Sequence, residues 1–130
     1  MLTRPVIDGQ AFNLTRCETL VEIRARSHSA EFEFIIATLR TVSSRRFRKL
    51  TLLTTSQVTK IKLEAWAKLE EEISALVKRV GATAGNDTLE VVICSSSKTL
   101  GDRLSEVLPL ISQDACVSLR MEDLPPPSNR

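Results

Sequence analysis

The sequence predicts an α/β fold, a short solenoid of about four parallel strands alternating with three helices. Four segments rich in Leu, Val, Ile and Thr, at 19–25, 49–54, 88–94 and 116–121, have the length and composition of strands. Between them the apolar residues recur every three or four positions, the period of a helix with one buried face. Helices of that length carry the chain back to the same edge of a sheet, which makes the strands parallel and the crossovers right-handed. Leu20, Leu50, Leu89 and Val117 are spaced by about 30, 39 and 28 residues, an irregular strand-plus-helix repeat that fits a solenoid better than a closed barrel.

A lead-in over 1–15 comes first. Its apolar residues Val6, Ile7, Ala11, Phe12 and Leu14 have no helical period, so no cap is expected over the first strand. That leaves its edge open, and self-association through this N-terminal edge is expected. The folded domain then runs over 16–122. In the first strand Val21 and Ile23 alternate with Glu22, Arg24 and Arg26. A helix follows over 31–42, where Phe32, Ile35, Ile36, Leu39 and Val42 form one stripe. Arg45, Arg46, Arg48 and Lys49 surround Phe47 at the start of the second strand, whose Leu50 and Leu52 alternate with Lys49 and Thr51.

The strongest helical pattern spans 63–80. Trp66, Leu69, Ile73, Leu76, Val77 and Val80 share one face, and Glu64, Lys68, Glu71, Glu72, Lys78 and Arg79 fill the other. Gly81 closes this helix and Gly85-Asn86-Asp87 supplies a turn. In the third strand Leu89 and Val91 alternate with Glu90. Leu100, Leu104, Val107, Leu108 and Ile111 predict a helix over 99–112, which Pro109 should kink or shorten. After the fourth strand, Pro125, Pro126 and Pro127 predict an extended, poorly ordered tail over 123–130.

Composition narrows the function classes. A chain of 130 residues with 42% hydrophobic and 26% charged residues is long enough for one core and needs no disulfide staple. Aromatics are 4% and tyrosine is absent, so aliphatic side chains must build that core. A net charge of +2 gives no argument for nucleic acid, and no apolar run approaches a membrane span. Residues 1–14 have no signal-peptide core. Cys17, Cys94 and Cys116 lack paired spacing, which points to a reducing compartment, cytoplasmic or nuclear.

Candidate chemistries fail at specific positions. The loop over 95–99, from Ser95 to Thr99 with Lys98 inside it, lies between a strand and a helix, where an anion or nucleotide is favoured. It lacks the glycines that let a backbone wrap phosphates, and Leu100 stands where a phosphatase loop needs arginine. Ser97 or Thr99 capping the helix is the simpler role. His28, the single histidine, falls in a polar stretch away from any nucleophile, so no catalytic residue and no enzyme activity are expected. No His or Cys pair has chelating spacing, and neither a metal nor another cofactor is expected. Glu70, Glu71 and Glu72 are consecutive and should spread over a solvated helix face. The Arg45–Lys49 cluster should cover the turn before its strand, and Trp66 belongs to the core.

Fragments of leucine-rich-repeat spacing occur at Phe47-x-x-Leu50-x-Leu52 and Leu89-x-Val91-x-x-Cys94. The order of features is Ser43-Ser44-Arg45-Arg46-Phe47-Arg48-Lys49-Leu50-Thr51-Leu52, then Trp66-x-x-Leu69-Glu70, then Leu89-Glu90-Val91-Val92-Ile93, then Leu108-Pro109-Leu110 and a last strand. Over most of the chain this resembles the C-terminal leucine-rich-repeat-like region of fungal, mushroom-type F-box proteins. The resemblance implies a substrate-recognition region of a ubiquitin-ligase adaptor, binding a protein target, with a Skp1-like adaptor bound by an upstream F-box. The F-box itself, with its Leu-Pro start, is not seen in this sequence. In repeat proteins of this kind the strand face left free by the helices is the usual ligand surface. Glu22, Arg24, Arg26, Lys49, Thr51 and Glu90 are accordingly the expected partner-binding residues.

Overall fold

The computed structural model describes residues 6–8, 13–27, 32–54, 63–94, 106 and 108–122. His28, the 95–99 loop and the 123–130 tail lie outside them. The elements in chain order are β1 (Val6–Asp8), β2 (Glu22–Ser27), α1 (Glu33–Leu39), β3 (Lys49–Thr54), α2 (Leu63–Val80), β4 (Leu89–Cys94), α3 (Pro109–Ser112) and β5 (Val117–Glu122). The strands form one five-stranded, all-parallel sheet ordered β1-β2-β3-β4-β5.

The lead-in is the first correction. Val6–Asp8 adds a strand parallel to β2, with Val6 opposite Arg24 and Asp8 opposite Arg26. The edge of β2 that was expected to be open is therefore paired. Three residues are too few to show a period of two, so the sequence pattern gave no sign of this strand. The next strand also begins later than expected. Leu20 is fully buried, but it sits in a turn, where its N–H bonds to the Cys17 carbonyl at 3.3 Å. Burial of an apolar residue there does not require a strand.

Helix α1 is shorter than the 31–42 stripe. Its continuation tightens into i→i−3 bonds, from Thr41 N–H to Thr38 and from Val42 N–H to Leu39. Val42 is still buried. Helix α2 has the bounds that the periodicity predicts. Gly81 (φ 73°) ends it in the left-handed region, and the Ala82 N–H reaches back to the Val77 carbonyl at 3.1 Å. In the helix expected over 99–112, residue 106 is helical and Pro109 opens the separate four-residue helix α3. Proline at a first helical turn loses no hydrogen bond, so it starts this helix and does not kink a longer one.

One face of the sheet holds the core. Ile23, Ala25, Leu50, Leu52, Leu89, Val91, Ile93 and Val117 cluster with Ile35 and Leu39 of α1, with Trp66, Leu69, Ile73 and Leu76 of α2, and with Ile111 of α3. Trp66 meets Phe32 edge to face, with ring centroids 4.7 Å apart. Phe47 is fully buried, as is Leu50, so the basic cluster does turn its apolar members inward.

Charged side chains satisfy the helix ends. Arg79 of α2 donates from Nη2 to the Leu39 carbonyl at 2.6 Å and from Nε to Val42 at 3.3 Å, closing α1. Arg48 donates to the Val80 carbonyl at 3.0 Å, closing α2, and grips Asp87 with two bonds of 2.8 and 3.1 Å. This grip holds the Asp87 carboxyl below the ordinary carboxylate range. Glu70 overturns the expectation of a solvated triplet. It is buried, and its Oε2 accepts the N–H groups of Leu110 and Ile111 at the start of α3.

Candidate interaction surface

Because side chains alternate across a strand, the register fixes what lies on the face opposite the helices. A first row runs Glu22, Lys49, Glu90 and Ser118 across β2 to β5. A second runs Val6, Arg24, Thr51, Val92 and Arg120. In the third row Arg26, Leu53, Cys94 and Glu122 follow one another. The six residues expected to bind a partner are thus brought onto one face. Among the described residues no helix packs there, since the apolar cluster on this side consists of the strand residues Leu53, Val92 and Cys94.

The six are unequal. Arg24 and Arg26 are exposed, and Glu22, Lys49 and Glu90 are half-buried. Thr51 is 4% exposed, and its hydroxyl lies 3.4 Å from Glu22 Oε2. A residue so covered supports its neighbours and presents little surface to a partner. That changes the role expected for Thr51.

The same rows add residues that the sequence reasoning missed. Arg120 Nη2 binds Glu90 Oε1 at 2.7 Å and Glu122 Oε1 at 3.2 Å, forming a charged bridge from β4 to β5. Extending the alternation of the last strand would have found Ser118, Arg120 and Glu122. Leu53, Val92 and Cys94 were harder to place. Strands buried on both faces read as continuous apolar runs, and Leu52-Leu53 and Val91-Val92-Ile93-Cys94 have that form.

The face is therefore a mixed-charge border around a buried centre of Thr51, Leu53, Val92 and Cys94. Cys94 is its one thiol, and it is poorly suited to attack. Burial raises its pKa, Glu122 adds to the rise, and Arg24, Arg120 and Lys49 offset part of it. A thiol that stays protonated is a weak nucleophile. Among the described residues no group of three or more His, Cys, Asp or Glu is placed to hold a metal ion. A separate open groove of about 310 Å³ between α1 and α2 is lined by Ile36 and Ala37 and by the charges of Glu33, Arg40, Lys68, Glu71 and Glu72.

Comparison of the chain with protein-family models, with curated proteins and with solved structures finds no match. No helix among the described residues is long and apolar enough to cross a membrane.

Proposed function

We propose that this chain is a protein-interaction module without chemistry of its own, a short leucine-rich-repeat-like solenoid that holds a protein target on the face of its sheet opposite the described helices. The observation that carries this reading is the order of the sheet. Parallel strands follow one another in chain order with the helical core on one side, and on the other side exposed charged and polar side chains, Arg24, Arg26, Ser118, Arg120 and Glu122, surround the buried Leu53, Val92 and Cys94. Such a face offers contact area and charge for recognition and has few groups suited to bond-breaking. The resemblance to the substrate-recognition region of F-box proteins supports the same class of role, target selection for ubiquitination. In that setting a Skp1-like adaptor would be held by an F-box elsewhere in the same protein.

The test is a comparison of captured partners. Wild-type protein and the variant Arg24→Glu/Arg26→Glu/Lys49→Glu are used as baits, with Lys68→Glu/Glu71→Lys on the helix side as a control. A protein retained by wild type and control but lost from the face variant is the expected result. Retention indifferent to the face, or turnover of a generic ester or phosphoester by the purified protein, overturns the reading. Co-precipitation of a Skp1-like adaptor with the cellular protein tests the ligase assignment separately.

A further inference from the structure

Two turns meet where β2 and β3 begin, and Ser44 fastens one to the other. It is buried, and its Oγ lies 2.8 Å from the carbonyl oxygens of both Glu18 and Leu20. Its neighbour Ser43 is exposed and donates a 2.9 Å hydrogen bond to the Thr15 carbonyl. Arg16 follows that acceptor residue directly. Arg45 and Arg46 follow Ser43 in the turn that the Phe47 N–H closes on the Ser44 carbonyl at 3.3 Å. All three arginines are exposed, and none is in an ion pair among the described residues. The two turns thus attach three uncompensated cations close to one accessible hydroxyl, a setting that stabilises a dianion placed on that oxygen.

We propose that Ser43 is a phosphorylation site for an arginine-directed protein kinase, and that Arg16, Arg45 and Arg46 grip the phosphate once it is attached. In the transfer the Ser43 oxygen attacks the γ-phosphorus of a nucleoside triphosphate held by the kinase. The new O–P bond forms as the bond to the β-phosphate oxygen breaks, the hydroxyl proton passes to the base of the kinase, and the nucleoside diphosphate leaves. Arg40 before Ser43 and Arg45 and Arg46 after it give the charge pattern that an acidic peptide groove selects. The Arg40 side chain is 69% exposed, so its 3.3 Å contact with Glu72 is a weak surface pair that yields to such a groove. The modified oxygen gives up its bond to Thr15, whose residue is exposed and whose carbonyl turns to water. Charge-assisted bonds to arginines from both turns replace it.

The experiment treats the full folded chain with ATP and a purified arginine-directed kinase, beside a synthetic peptide of residues 37–49. Peptide mass spectrometry is expected to place the phosphate on Ser43 and to find Ser44 unmodified, because the Ser44 hydroxyl is held inside the junction. Phosphorus NMR then reads the grip. The second pKa of a phosphoserine is about 6 in a free peptide, and in the folded chain it should lie lower by about half a unit or more. Arg16→Ala separates the grip from kinase selection, since Arg16 is far from Ser43 in sequence and outside the peptide that the kinase reads. This variant should still accept the phosphate on Ser43, and its phosphate should titrate closer to the peptide value. A cooperative thermal transition shows that the variant is folded. No phosphate on Ser43 of the folded chain under conditions that modify the peptide fully, or modification of Ser44 in its place, overturns the site. A phosphate on Ser43 that titrates as in the peptide, or that Arg16→Ala leaves unchanged, overturns the grip.

Discussion

Glu70 Oε2 accepts the Leu110 amide at 2.8 Å and the Ile111 amide at 3.2 Å, joining the middle of α2 to the first turn of α3 across a separation of 40 residues in sequence. The carboxylate is 3% exposed, and it supplies the acceptor that the N-cap Leu108 lacks. Glu70→Ala leaves two amides unpaired and is expected to cost about 1–3 kcal/mol in chemical denaturation. Glu71→Ala, one position along on the exposed side, is expected to change stability by less than about 0.5 kcal/mol. Equal effects would show that the capping bond contributes nothing.

The aromatic contact gives a second prediction. Trp66 is 1% exposed and meets Phe32 at an interplanar angle of 64°. Trp66→Ala should cost about 3–5 kcal/mol. A cycle with Phe32→Leu should leave a coupling of about 0.5–1.5 kcal/mol between the rings. Denaturation midpoints of the four proteins measure it, and additivity would mean that the rings do not interact.

Asp87 predicts an acid dependence. Its carboxyl has a lower pKa folded than unfolded because of Arg48, so its contribution is present above the unfolded value of about 3.8 and is lost as pH falls through the folded value. The stability difference between wild type and Asp87→Asn should be constant near neutrality and shrink below about pH 4. Urea titrations across pH 2.5–7, about half a unit apart, follow it. A difference that grows towards acid would contradict the Arg48 pairing.

What the sequence made legible was long or strongly periodic. Helix α2 has six apolar residues on one stripe and a closing Gly81, and its bounds agree with the pattern. Strand β3, set off by the basic turn before it, also has the predicted bounds. Short elements were decided by tertiary partners. Val6–Asp8 becomes a strand because β2 offers it an edge, and Pro109–Ser112 becomes a helix where Glu70 reaches its amides. On the candidate face, alternation placed Glu22, Arg24 and Arg26 correctly. It could not separate Thr51 from Lys49, because both lie on β3 between β2 and β4 and alternation assigns a face, not the degree of burial on it.

Cys94 carries a prediction about reactivity. Its thiol is buried and its pKa is raised, whereas Cys17 and Cys116 are half-exposed. Iodoacetamide at pH 7.5–8, about neutral, should alkylate Cys17 and Cys116 well before Cys94. Peptide mass spectrometry at timed intervals reads the order. Early labelling of Cys94 would mean that the face opens to solvent, and in urea the three rates should converge.

The face itself should divide into residues that hold the sheet and residues that are free to recognise. Val92 is 1% exposed between Thr51 and Arg120, in contact with Leu53 and Cys94. Val92→Ala opens a space that neighbouring strands cannot close, and a loss of about 1–2 kcal/mol is expected. Val92→Asp puts a carboxylate where little water reaches it, so its cost should be larger, about 3 kcal/mol or more. Arg24 lies one strand beyond Thr51 in the same row but is exposed, and Arg24→Ala should stay within about 0.5 kcal/mol of wild type. Thermal and urea melts of the three variants measure the contrast. If Arg24→Ala destabilised as much as Val92→Ala, the arginine would be part of the packing, and its replacement could no longer report on partner binding.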